Sequence, residues 1–188
     1  MTAVVVLLVV VAVVGIGFLL SYNRFVSQRQ YIRNAWANVD TELRRRYDLI
    51  PNLVETVKGY AAHERQTFEE VTEARNRASE NEGRPADQAK DENAFVGALK
   101  SLLAVSENYP ELKADQNFLE LQRELVATEN RIQAARRFYN NNVRDYNRRV
   151  QSIPSNLIAS LFGFREEDYF EVEPAVRETP QVQLDGQG

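Results

Sequence analysis

The chain opens on an unbroken apolar run, Thr2 to Leu20 (TAVVVLLVVVAVVGIGFLL), with no charged residue over 19 positions. As a helix rising 1.5 Å per residue, such a run spans about 28 Å, close to the thickness of a bilayer's hydrocarbon core. The pattern therefore predicts a transmembrane anchor over residues 1–21. A cleaved leader would need a basic start, a shorter apolar run and a small-x-small cleavage site; here no Lys or Arg precedes the run, which leads into Gly-Phe-Leu-Leu-Ser-Tyr-Asn.

After the anchor the apolar residues change spacing. They fall at Tyr22, Phe25, Ile32, Trp36, Val39, Leu43 and Ile50, in steps of 3, 7, 4, 3, 4 and 7, one stripe of a helix with coiled-coil-like spacing. The same phase continues through Leu53, Val57, Ala61, Phe68, Val71 and Ala78, which predicts helix from Tyr22 to Ala78, roughly 85 Å if continuous. Pro51 interrupts this run without resetting its phase. A proline inside a helix removes the bond to the carbonyl four residues back, here that of Tyr47, yet proline is also a good first residue of a new helix. Two readings stay open: one helix kinked at Pro51, or two nearly coaxial helices with Asp48 near the cap. In either case Tyr47, Asp48, Pro51 and Asn52 mark a bend or junction.

The stripe dissolves over Ser79–Asp91 (SENEGRPADQAKD), a polar run with Gly83 and Pro85 that predicts a loop. A shorter helix is predicted from Glu92 to Ser106, with Phe95, Leu99, Leu102 and Leu103 as its stripe, ended by Asn108-Tyr109-Pro110. A second long periodic run then carries Phe118, Leu121, Leu125, Ile132, Ala135, Tyr139, Val143, Tyr146, Val150 and Ile153, and stops at Pro154. Two long amphipathic helices joined by a short one bury their stripes by packing antiparallel. No alternating strand pattern competes, so the predicted class is all-α: an anchor over 1–21, an antiparallel bundle over 22–164 and an acidic tail over 165–188. Trp36, Tyr47, Tyr60, Phe68, Phe138, Tyr139 and Tyr146, at helical spacing, are expected in the core.

Charge adds a direction. Arg24, Arg29 and Arg33 follow the anchor, and nothing basic but the amino terminus precedes it, so the positive-inside rule places the C-terminal bulk in the cytoplasm and the short N-terminus outside. An antiparallel return brings Arg144, Arg148 and Arg149 back toward that group. Six arginines near a membrane suit an anionic leaflet, although a solvated helix face is the plainer reading. The net charge of −4 gives no reason to expect a nucleic-acid partner. Arg45, Arg46, Asp48, Asn52, Glu129, Arg136 and Asn140 occupy or flank the stripes. Any of them inside the bundle must pair, and would then fix helix register, with Arg45, Glu129, Arg136 and Asn140 the foremost candidates.

Past Pro154, Ser155–Phe164 (SNLIASLFGF) is short and very apolar. Three roles are open to it: a cap on the bundle, a segment in the membrane interface, or contact with a neighbouring chain. Phe162 and Phe164 here, with Tyr169 and Phe170 among the acids that follow, are candidate partner contacts. The remainder reads as a tail without a core of its own.

Chemistry is sparse. There is no cysteine and one histidine, His63, whose His-Glu-Arg-Gln-Thr context lacks the second imidazole of a zinc helix. No phosphate-binding loop or nucleophile elbow is present. Catalysis, a cofactor, a metal and a small-molecule substrate are accordingly not expected.

The runs RRYDLIPNLVETVKGYAAHE, YPELKA at Tyr109–Ala114, FLELQRELVATENRIQAARRFYNNNVRDYN at Phe118–Asn147 and IPSNLIASLFGF together resemble the LemA family of bacterial membrane proteins, over about Asn23–Glu171. The resemblance implies one N-terminal membrane helix, a small outward N-terminus and a cytoplasmic antiparallel helical bundle. It implies no activity and supplies no catalytic residues. The expected function is a membrane-anchored scaffold that self-associates; the alternative is an adaptor docking on a membrane enzyme or signalling protein through its tail or through the distal acidic end that carries Glu64, Glu69, Glu70, Glu73, Glu80, Glu82, Asp87, Asp91 and Glu92.

Overall fold

A computed structural model describes residues 1–175, and those residues are all-helical apart from turns and one extended segment. The elements are α1 (Thr2–Lys58), α2 (Arg65–Glu80), α3 (Pro85–Ser106), α4 (Pro110–Lys113), α5 (Gln116–Gln151) and α6 (Ser155–Phe162). The C-terminal part of the predicted tail, residues 176–188, lies outside the described residues.

The described residues form two compact units, Met1–Thr41 with Ala134–Phe170, and Glu42–Gln133 with residues 171–175. Helices α1 and α5 each contribute one stretch to each unit.

In the first unit the periodic stripes meet as their phase requires. Phe25 meets the edge of Tyr146 at 5.9 Å, and Trp36 meets Tyr139 at 5.2 Å, so the two helices run antiparallel. Phe25, Ile32, Ala35, Val39, Tyr139, Val143 and Tyr146 are buried. Phe138 is not: it stands 56% exposed, because one residue along a helix turns the side chain about 100° away from the stripe that Tyr139 occupies. Ile153, expected to close the stripe, is 83% exposed, since α5 has already ended at Gln151.

In the second unit the expected continuous helix to Ala78 is corrected. Helix α1 ends at Lys58 and α2 begins at Arg65; between them Tyr60 and Ala61 amides both bond the Val57 carbonyl, at 3.0 and 2.9 Å. The chain reverses there, so that Lys58 lies over the Phe68 ring and Arg75 reaches Tyr47. A straight continuation would have left Phe68, Val71, Ala74 and Ala78 without a surface of this chain to cover them; folded back, all four are buried. Tyr60, another expected core aromatic, sits in the reversal, 38% exposed, and donates its hydroxyl to Asp115 at 3.0 Å. Asp115 in turn accepts the Phe118 amide at 2.8 Å and caps α5.

The predicted loop shrinks to residues 81–84, because α3 starts at Pro85 rather than Glu92. Proline at the first helical position gives up no helical bond and has a suitable φ, so what looked like punctuation is a start signal. Pro110 opens α4 in the same way.

Candidate functional site

At Pro51 the sequence predicts a bend or a junction. Helix α1 runs unbroken through it, so Tyr47, Asp48, Pro51 and Asn52 do not start a new helix. The missing proline N–H would orphan the Tyr47 carbonyl; Arg75 Nε donates to it at 3.3 Å instead. A side chain from α2 thus replaces the backbone donor that Pro51 lacks, and the apolar phase continues.

One turn before, the second unit holds a buried ionic group. Arg46 is 0% exposed, Glu92 1% and Glu129 2%. Arg46 Nη1 donates to Glu129 Oε2 at 3.0 Å, and Nη2 donates to Glu92. The Tyr47 hydroxyl donates to the other oxygen of Glu92. Gln133 Nε2 donates to Glu129 Oε1 at 2.7 Å, and the guanidinium lies 5.1 Å over the Phe95 ring. Helices α1, α3 and α5 are therefore tied at one level by one cation between two carboxylates. Burial pushes the Glu92 carboxyl above its ordinary range; Arg46 and the Tyr47 hydroxyl oppose this, while the Glu129 charge adds to it.

Of the four register candidates, the structure places Glu129 in this group. Arg45 is instead half-exposed and pairs with Glu42 at 3.4 Å, and the buried arginine is its neighbour Arg46. Arg136 is partly buried. Asn140 has a different role, shared with two asparagines not foreseen as a set. Its side chain accepts the Phe170 amide at 2.9 Å and donates to the Phe170 carbonyl at 3.0 Å. Asn147 does the same with the amide and carbonyl of Glu167, both at 2.9 Å. The Tyr139 hydroxyl donates to the Asp168 carbonyl at 2.8 Å. In the second unit, Asn93 accepts the Glu173 amide at 2.9 Å and donates to the Glu171 carbonyl at 3.1 Å. The segment after α6 is thus extended backbone clamped by amide side chains, with Phe170, Val172 and Ala175 buried. The spacing is arithmetical: Asn140 to Asn147 is two helical turns, about 10.5 Å, and Glu167 to Phe170 is three extended residues, about 10 Å.

The six arginines expected near the membrane all lie in the first unit. Arg29 approaches Glu167 at 3.8 Å and lies 5.8 Å over the Phe164 ring; Arg144 lies 3.9 Å from Asp145. Arg149 sits 5.8 Å over the Phe25 ring with its Nε lacking a hydrogen-bond partner. Burial and the neighbouring Arg24 push its guanidinium below the ordinary value. Arg24, Arg33 and Arg148 are exposed. Burial raises the Tyr146 phenol despite Arg29 nearby, and its hydroxyl also lacks a partner.

Of the four candidate partner contacts, three make ring contacts within the chain: Phe164 stacks on Phe25 at 4.8 Å, Phe170 meets Trp36 edge-on at 5.1 Å and Phe162 meets Tyr22 at 4.8 Å. Phe162 is 48% exposed and Tyr169 39%.

A surface groove of about 620 Å³ opens in the second unit between Lys58, Arg65, Phe68, Glu69, Glu73 and Asn76. Among the described residues no group of three or more His, Cys, Asp or Glu side chains is placed to hold a metal.

The sequence profile of the LemA family matches residues 35–184. Magnetosome protein MamQ 2 of Paramagnetospirillum magneticum is 27% identical over 182 aligned residues, which cover 84% of this chain and 67% of that protein. Magnetosome protein MamQ of Magnetospirillum gryphiswaldense is 26% identical over the same shares of both chains. Protein LemA of Metamycoplasma hominis is 24% identical over 140 residues, covering 73% of this chain and 63% of its own length.

Proposed function

Because the chain belongs to the LemA family, we propose that it is a membrane-anchored helical scaffold that self-associates at the cytoplasmic face of a bacterial membrane, acting by binding rather than catalysis. The observation that carries this reading is α1 itself. Its N-terminal stretch has a mean hydropathy of 3.3 with none of it buried in the protein, and the same unbroken helix supplies Phe25, Ile32, Ala35 and Val39 to the core of the first unit. Anchor and folded unit share one rod with no linker between them, a construction suited to holding a surface at fixed height above a bilayer. Tyr31 at 61% exposure and Phe138 at 56% give that unit outward aromatics for a second copy.

The chain contains no cysteine, so single-cysteine variants Tyr31→Cys and Phe138→Cys can be oxidised in native membranes. Crosslinked dimers or higher species are expected, together with multi-step photobleaching of the labelled full chain. One-step bleaching at every expression level, with no crosslink from either site, sinks the reading. The groove beside Phe68 favours an adaptor as the second reading, and crosslinks from that groove to another protein, with none to a second copy, would replace the first by it. Protease protection of a C-terminal tag in intact cells, and its loss on permeabilisation, tests the cytoplasmic placement.

A further inference from the structure

Helix α6 has two faces. Ile158 and Ala159 are 7% and 2% exposed, while Leu157 and Leu161, one turn apart, are each 69% exposed, and Ile153 in the turn before α6 is 83% exposed. An eight-residue helix that buries two small contacts and turns its leucines outward is poorly explained as a cap.

Its position says what covers the leucines. Phe162 packs on Tyr22 at 4.8 Å and on Phe18 at 5.6 Å, and Phe18 lies within the charge-free run Thr2–Leu20. Helix α6 is therefore fastened at the level where the apolar run ends. Tyr22 and Phe162 form there the kind of aromatic pair that sits at a bilayer's headgroup boundary. The fastening is double. Gly163, at φ 70° and ψ 25°, closes the helix in the left-handed conformation that favours glycine, and the chain returns at once to bury Phe164 on Phe25.

The flanking charge points to the same occupant. Arg24 and Arg149 lie near one another, and Arg149 Nε is buried without a hydrogen-bond partner; Arg148 and Arg165 are exposed nearby in sequence to either end of α6. Exposed guanidinium groups at Arg24, Arg148 and Arg165 beside α6 suit the phosphate oxygens of a lipid surface. A second copy of this chain would have to bring an anion to that place, whereas a phospholipid bilayer brings apolar chains and phosphate together, in the order in which the leucines and arginines are arranged.

We propose that α6 lies in the membrane interface as a second, in-plane attachment beside the α1 anchor, with Ile153, Leu157 and Leu161 in the acyl boundary and Arg24, Arg148 and Arg165 on lipid phosphate. The inference rests on α1 crossing the membrane and goes beyond it, since it gives the first unit a fixed roll and tilt against the bilayer.

The test uses the full chain in phosphatidylcholine/phosphatidylglycerol vesicles. Single-cysteine variants Val10→Cys, Leu157→Cys, Leu161→Cys and Asn141→Cys carry an environment-sensitive fluorophore, and nitroxide-labelled lipids serve as quencher. Quenching and a blue shift are expected at 10, 157 and 161 and neither at 141, with the signals at 157 and 161 independent of protein-to-lipid ratio. Adding Arg24→Gln, Arg148→Gln and Arg165→Gln should weaken quenching at 157 and 161 and leave 10 unchanged. If 10 is quenched and 157 and 161 are not, the inference fails while the anchor stands; if 10 is not quenched, the anchor reading fails and takes the inference with it. A blue shift at 157 and 161 without lipid quenching, fading as protein is diluted in lipid, overturns the inference in favour of a second copy.

Discussion

Replacing Arg46 with methionine isolates what the buried ionic group does. The guanidinium is fully buried and donates to Glu92 and Glu129, themselves 1% and 2% exposed. Its removal loses two charge-assisted bonds and strands two carboxylates away from water. The fold's least costly escape is to protonate one of the two. From a reference value near 4.3, keeping one carboxyl neutral at pH 7 costs roughly 3.7 kcal/mol, at 1.36 kcal/mol per pH unit. That agrees with the roughly 3–5 kcal/mol typical of breaking a buried ion pair from one side. We therefore expect Arg46→Met to destabilise the full chain by about 4 kcal/mol at pH 7. The same escape costs only roughly 1 kcal/mol per carboxyl at pH 5, so the deficit should shrink on acidification. Urea unfolding in mild detergent, followed by far-ultraviolet circular dichroism at both pH values, measures it. The variant Arg46→Met, Tyr47→Phe, Glu92→Leu, Glu129→Leu removes every charge and the orphaned hydroxyl at once, and should recover most of the loss, because apolar replacements of whole buried ion groups are often neutral or stabilising. A single variant within 1 kcal/mol of the parent at pH 7, or a deficit that does not shrink at pH 5, would refute the reasoning.

Glu92→Gln probes the same group by pH. Burial raises the Glu92 carboxyl in the folded chain above its reference of 4.5, so its contribution to stability is fully present below that value and is lost as pH rises through the raised one. The stability of the parent relative to Glu92→Gln should accordingly fall between pH 4 and pH 7, and a rise over that window contradicts the assignment. Pro51→Ala should stabilise by about 1–3 kcal/mol by restoring a helical bond, while Arg75→Met should cost about 1 kcal/mol in the parent and less in the Pro51→Ala background; strict additivity of the two in unfolding measurements would show that Arg75 does not substitute for the missing donor. Asn147→Ala removes both bonds to Glu167 and should cost about 2 kcal/mol, with amide hydrogen exchange accelerated at Glu167 while α5 stays protected. Unchanged exchange at Glu167 would show that the clamp contributes nothing.

The helices were legible because burial along them is periodic, and most of the stripe residues named by spacing are buried, with Tyr22, Trp36, Leu103, Leu121, Ala135 and Val150 partly so and Ile153 exposed. The ionic group was also visible in principle. Arg46 lies between Leu43 and Ile50, Glu92 precedes Phe95, and Glu129 lies between Leu125 and Ile132, each at a step of 3 or 4 from its buried neighbours, so each is a charge on an apolar line. Arg45 stands one residue off that line, which is why its side chain is half-exposed and pairs with Glu42 at the surface. The reversal after Lys58 was hidden for the opposite reason: apolar phase carries across a turn as well as along a helix, and phase alone cannot tell the two apart. Arg75 gave no sign, because its partner is a carbonyl that only the reversal brings near. The extended segment after α6 escaped because it has no period; it is held through its backbone, and patterns of side chains do not record that.

That last arrangement bears on how the chain can vary. A carboxamide that takes one amide and one carbonyl from the same stretch of backbone is indifferent to the side chain carried there, so apart from the buried Phe170 and Val172 the positions from Arg165 to Glu173 are free to change in kind. They are not free to change in number. One residue inserted between Glu167 and Phe170 would put about 13 Å of extended chain against the 10.5 Å between Asn147 and Asn140, and a proline at 167, 170 or 173 would remove the N–H each asparagine accepts. Helix α5 thus acts as a ruler for the segment laid along it, tolerant of spelling and strict about length.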